Sequence, residues 1–219
     1  MENLVKIALA GGGGAKNSRL LDELFASWIG PQGRILYLPI ALRGIRSFES
    51  CFEWITTTFA PFAINRITMW TDMAGHHAGE LEGFTAVYIG GGNTYSLLAE
   101  FIYSGFDGHL QAYVHRGGMI YGGSAGAVVL GKDIRTISRM DRNVTGLTEV
   151  KCLNLAEDHA VYPHYEPRDD QFIEEFVEKY QQPVLAILER SGVVIEAGRM
   201  RSVGFEASYR FDHQGKFEL

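Results

Sequence analysis

The chain has 219 residues, 46% hydrophobic and 21% charged, with a net charge of −6. This is ordinary globular composition, long enough to bury a core without staples. With no long Lys or Arg run, it gives no support for a nucleic-acid or anionic-membrane partner. No apolar stretch approaches a membrane span, and the start, "MENLVKIALAGGGG", lacks a basic n-region. Cys51 and Cys152 have no metal or redox spacing and read as free thiols in a reducing, cytoplasmic setting.

In chain order, "LVKIALA" (4–10) predicts a buried strand ending in four glycines. Residues 17–29 repeat apolar side chains at helical spacing, with Asn17 or Ser18 as cap. "RILYLPIA" (34–41) is a second strand, running into a loop with Arg43 and Arg46, and 48–62 is a helix. Strands follow at 64–70, 84–94 and 118–123, the last two each leading into a helix, and 110–118 is a short helix of its own. "HAVYP" (159–163) and "PVLAILER" (183–190) are strands around a helix at 168–180. The tail reads as hairpins. The alternation predicts one α/β domain, 1–219. Its architecture is a three-layer sandwich on a largely parallel sheet, with antiparallel hairpins at the C-terminal end.

In such sheets function gathers at the carboxyl ends of strands. Three glycine clusters fall there: 11–14, 90–92 and 122–126. The first has neither P-loop nor dinucleotide register and reads as a flexible turn. The second could hold an anion on its exposed N–H groups. The third gives G-x-S-x-G as Gly122, Ser124 and Gly126 between a strand and a helix, the pattern of a nucleophile elbow. Such a turn exposes the Ser124 hydroxyl and sets the Ala125 N–H at the helix start, ready for an oxyanion.

A serine nucleophile needs a base. His76, His77, His109, His115 and His213 read as surface residues, and His159 lies at the far end of its strand. His164 follows that strand at the carboxyl edge and is the favoured base. Glu166, Asp169, Asp170 and Glu189 are candidates to orient it, with Glu189 preferred because it ends a strand at the same edge. No H-E-x-x-H or other metal-ligand spacing occurs.

"IGGGNTYSLL", "YGGSAGAVVLGKDIRT", "VYPHYEPRDDQF" and "LAILERSGVVIE" together resemble the peptidase E family of serine peptidases (aspartyl dipeptidases), whose relatives include cyanophycinase. The resemblance runs over nearly the whole chain. It implies a class I glutamine amidotransferase-like (flavodoxin-like) fold, a cytoplasmic monomer or homodimer, a short-peptide substrate and no cofactor. It implies a triad of Ser124, His164 and Glu189, with the N–H groups of Gly92 and Ala125 as oxyanion donors. Asn93, Arg168 and Arg139 are expected at the substrate, Arg168 matching the family's holder of an acidic side chain. Two positions depart from the pattern: Arg139 stands where an aspartate is expected, and the loop from His164 to Arg168 is short. Alternative readings are a cyanophycinase-like hydrolase of β-Asp-Arg bonds and an inactive binding protein of the same fold.

Overall fold

A computed structural model describes residues 5–219. Its elements alternate through the first half: β1 (Lys6–Ala10), α1 (Ala15–Ile29), β2 (Ile35–Leu38), α2 (Phe48–Phe59), β3 (Ile67–Met69) and β4 (Ala86–Ile89). Next come α3 (Thr94–Ser104), α4 (Phe106–His115), β5 (Met119–Gly123) and α5 (Ala125–Leu130). The second half holds β6 (Ala160–Tyr162), α6 (Asp170–Tyr180), β7 (Val184–Ala186), β8 (Ser191–Glu196), β9 (Arg199–Gly204), β10 (Tyr209–Asp212) and β11 (Gly215–Glu218).

A seven-stranded sheet runs in the order β3-β2-β4-β5-β1-β8-β9. The first five strands are mutually parallel; β8 and β9 close one edge as an antiparallel hairpin. Strand periodicity explains the layers. Ile7, Leu9, Leu36, Leu38, Val87 and Ile89 face the core under α3, α4 and α5. Ala8, Ala10, Ile35, Tyr37, Ala86 and Tyr88 face the core under α1 and α2. Both faces are covered, so β2 and β4 are buried throughout and β1 is apolar after Lys6.

The strands at 159–163 and 183–190 do not extend this sheet. β6 and β7 pair with each other in a separate four-stranded sheet, order β11-β10-β7-β6, covered by α6. β7 ends at Ala186, so Glu189 sits in the turn leading to β8 and does not end a strand. α1 starts at Ala15, capped by Gly14, before either predicted cap. Ser18 instead lies inside that helix, where its hydroxyl donates to Asp22 at 2.7 Å. His76 and His109 are packing residues: His76 stacks on Trp70 at 3.6 Å between ring centroids, and His109 meets the edge of Phe106. Among the described residues no helix is long and apolar enough to cross a membrane.

Candidate active site

β5 ends in a turn that only small residues permit. A Cβ on Gly122 would lie 2.5 Å from the Gly126 carbonyl carbon, and one on Gly126 would lie 2.3 Å from the Ile89 oxygen. Between them Ser124 takes φ 49°, ψ −108°, a left-handed conformation that an L-residue keeps at a cost of about 1–3 kcal/mol. The Ser124 N–H donates to the Ala10 carbonyl at 3.1 Å, tying the turn to the end of β1.

His164 follows β6, also at positive φ (51°). Its N–H donates to the Gly11 carbonyl at 2.9 Å, bringing the small sheet onto the end of β1. Here the first glycine cluster departs from the expectation of a flexible turn. Gly12 is at φ +137°, and a Cβ there would lie 2.1 Å from His164 Cε1. A Cβ on Gly11 would lie 2.0 Å from the Leu188 oxygen. The cluster is bare because the imidazole and the chain leading to Glu189 occupy the space. The run of glycines at a strand end was the only signal of this in the sequence.

The structure brings Ser124, His164 and Glu189 together. Ser124 Oγ is 2.8 Å from His164 Nε2, and His164 Nδ1 is 3.0 Å from Glu189 Oε1. An ionised carboxylate can only accept, so Nδ1 carries the hydrogen and Nε2 accepts from the serine hydroxyl. Glu189 is about half exposed, which weakens its pull on the imidazole relative to a buried carboxylate.

The turn after β4 faces Ser124: a Cβ on Gly91 would lie 3.3 Å from Ser124 Cβ. Gly92 is at φ +128° and pressed against the Ala41 carbonyl, where a side chain would clash at 2.2 Å. The N–H groups of Gly91, Gly92 and Ala125 donate to no acceptor among the described residues. The site thus offers a hydroxyl, an imidazole bonded to it and to a carboxylate, and unpaired donors beside the hydroxyl.

Two cavities, of about 570 and 630 Å³, meet at this point, and Gly92, Ser124 and His164 line both. The first is walled by aromatic rings and reaches Gly12–Gly14 and Arg46. The second is charged: Arg139 and Arg168 share it with Asp141, Glu166, Asp169 and Glu189. Both expected arginines are therefore at the site, but neither is idle. Arg168 pairs with Glu166 at 2.9 Å, and Arg139 lies 4.0 Å over the Phe172 ring. Asp141 accepts from the Thr94 N–H at 2.7 Å, tying the loop after Arg139 to the start of α3. Asn93 lines neither cavity: its side-chain oxygen accepts from Ser96 N–H and its amide donates to the Arg142 carbonyl. It is a helix cap placed next to the site.

Beneath the aromatic cavity lies a buried network. Asp22, 1% exposed, accepts from Ser18 and, at 2.9 Å, from the Tyr121 hydroxyl. Burial pushes its carboxyl up to about 6, against both hydrogen bonds, which pull it down. Burial, with Asp22 adding to it, holds the Tyr121 hydroxyl far above its ordinary range, so it stays a donor.

The model of peptidase family S51 matches residues 7–203. An uncharacterized peptidase of Listeria monocytogenes is 32% identical over 54% of this chain and 69% of its own length. An uncharacterized peptidase of Listeria innocua is 35% identical over 43% of this chain, the match spanning 46% of that relative. Among solved structures, a protein of Listeria monocytogenes EGD-e provisionally named peptidase E superposes with a TM-score of 0.73 at 22% identity, over 92% of this chain and 99% of that one. A peptidase from an acI-B1 Actinobacterium gives 0.73 at 18% identity, over 98% and 93%. At such identities these two structures speak for the fold alone.

Proposed function

The chain belongs to peptidase family S51, and from that premise we propose that it is a serine peptidase with Ser124 as nucleophile, His164 as general base and Glu189 as its orienter. The observation that carries this is the unbroken chain from hydroxyl to imidazole to carboxylate, at 2.8 and 3.0 Å.

His164 Nε2 takes the Ser124 proton as the oxygen attacks the peptide carbonyl. Negative charge develops on the carbonyl oxygen, where the Gly92 and Ala125 N–H groups stabilise it, each worth about 3–4 kcal/mol in sites of this type. The imidazolium, held by Glu189, then gives its proton to the leaving amine. A water attacks the acyl-enzyme by the same route in reverse and frees Ser124.

The substrates are short peptides. With Arg168 and Arg139 on the wall of the charged cavity, an N-terminal acidic residue, Asp-X, fits the reading. A second reading has its own support. Four carboxylates outnumber the two arginines there, and Arg168 is already paired, so a cationic group is favoured as well. That suits hydrolysis of β-Asp-Arg bonds.

A fluorophosphonate tests the chemistry: an adduct on Ser124, absent in Ser124→Ala, is expected. A folded wild-type protein that takes no label would show a binding protein instead. Rates on α-Asp-Leu and β-Asp-Arg then separate the two substrate readings.

A further inference from the structure

The aromatic cavity has no role in that assignment beyond sharing the nucleophile. Tyr37, Trp54, Tyr88 and Tyr121 wall it. Their rings are locked together, Tyr37 to Tyr88 at 5.7 Å, Trp54 to Tyr88 at 6.0 Å, and Tyr88 stacked on Tyr121 at 4.3 Å. Such a wall is a rigid, mostly apolar face for a side chain. No Asp, Glu or Lys lines the cavity, and Arg46 is its one charged side chain apart from titratable His164.

The arginines around the site differ in what they hold. Arg43 pairs with Glu100, Arg135 with Asp133, Arg168 with Glu166, and Arg139 stacks on Phe172. The Arg46 guanidinium has no hydrogen bond, ion pair or ring partner among the described residues. Its charge is nonetheless felt within the cavity, where it opposes the upward push of burial on Cys51 and Tyr37. An unpaired cation in a cavity with no acidic side chain in its lining attracts an anion, Asp22 behind the wall being held by Ser18 and Tyr121. Ser124 lines the same cavity, which limits that anion to part of the substrate.

We propose that the aromatic cavity is a subsite for a carboxylate-bearing residue of the substrate, with Arg46 as the counter-ion and the Tyr37–Trp54–Tyr88 wall against its apolar part. This rests on Ser124 being the nucleophile. The carboxylate has two possible sources in a short peptide: the C-terminal α-carboxylate, or the side chain of an N-terminal acidic residue. With the α-carboxylate on Arg46, an acidic side chain is left to Arg168 and Arg139 in the charged cavity; with the side chain on Arg46, the charged cavity takes the α-amino group among its carboxylates. A free carboxylate within reach of Arg46 then selects peptides of about two residues over long chains.

Equilibrium binding in a Ser124→Ala background tests this without turnover. The ligands are Asp-Leu, its C-terminal amide, and Asn-Leu, each titrated calorimetrically against Ser124→Ala and against Ser124→Ala/Arg46→Gln. The expected result is roughly 10- to 100-fold weaker binding of Asp-Leu when Arg46 is lost, the range for a charge-assisted contact. Loss confined to Asp-Leu and Asn-Leu, with the amide bound equally by both proteins, assigns the α-carboxylate. Loss confined to Asp-Leu and the amide, with Asn-Leu unaffected, assigns the side chain. Arg46→Lys in the same background should recover part of the affinity. Equal affinities for all three ligands with and without Arg46, or no binding of any of them to the Ser124→Ala protein, overturn the subsite. Fluorophosphonate labelling of Ser124 in the Arg46→Gln single variant reads the nucleophile separately: retained labelling with unchanged affinities discards Arg46 alone, whereas a wild type that takes no label discards the catalytic reading.

Discussion

Ser124 and His164 come from different sheets, and the two sheets are built differently. The seven-stranded sheet is buried on both faces, with β2 and β4 wholly inside. Ser124 leaves it from β5, between two strands that fix its end. The four-stranded sheet is smaller, covered by α6, and no residue of its edge strand β11 is fully buried. His164 leaves it from β6. At the site one backbone bond crosses between them, His164 N–H to the Gly11 carbonyl. Elsewhere the Ser208 hydroxyl bonds to Ser191 and to the Gly192 carbonyl, and Val161, Leu185 and Ile187 pack into the main core. Ser124 thus stands on a well-fixed strand end while His164 is carried by a second layer, and the seam sets their distance.

The comparison can be broken by substitution. Ser124→Ala should have the largest effect, a loss of about 10⁴-fold or more in kcat, with the melting temperature little changed. Gly12→Ala attacks the seam while leaving the three side chains chemically unchanged. Its methyl would occupy the position of the imidazole, and a displacement of that size costs roughly 10²-fold in kcat. Gly14→Ala is the control: a Cβ there meets nothing within 4 Å, and activity should stay near wild type. Equal rates for the two glycine variants would mean the seam does not position the base. Glu189→Gln should cost about 10- to 100-fold in kcat, less than at a buried orienter, because its partner contact is half open to water.

Two smaller effects concern stability. The Asp22 carboxyl lies at about 6 in the folded chain against 3.8 in the unfolded one. The folded state therefore holds the proton across that window. The stability it confers is complete below pH 3.8 and is lost as pH rises through 6, by roughly 3 kcal/mol in total. Asp22→Asn should flatten this part of the profile, read as denaturant midpoints from pH 4 to 8. A slope as steep as wild type would locate the titration elsewhere. Asn93→Ala removes the α3 cap and should lower stability by about 1 kcal/mol, measured by urea unfolding.

Much of this molecule was legible in the sequence where local sterics or strand periodicity decide. The alternation of strands and helices, the tight strand-to-helix turn at Ser124, and the hairpin tail all follow from patterns within short windows. His164 and Glu189 were singled out as residues that follow strands, and they lie beside Ser124, although Glu189 sits in a turn three residues beyond β7. What the sequence hid is tertiary. Nothing in "HAVYP" or "PVLAILER" says that they pair with each other in a second sheet. Nothing in "GGGG" says that an imidazole made 150 residues later fills the space. Asn93 was expected at the substrate from the resemblance alone; its side chain caps α3, and its bond to the Arg142 carbonyl is a tertiary fact that no short window shows. Arg46 drew no functional role because its significance lies in what surrounds it.

β1 stands between β5 and β8, one made mid-chain and the other near the C-terminal end of the sequence. In order of synthesis the turn that carries Ser124 is made before His164, Glu189 and the strand that closes the far side of β1. A chain made only as far as α5 therefore carries the serine with neither partner, and its β1 has one open edge. The three side chains meet only after the second sheet has been added to the first.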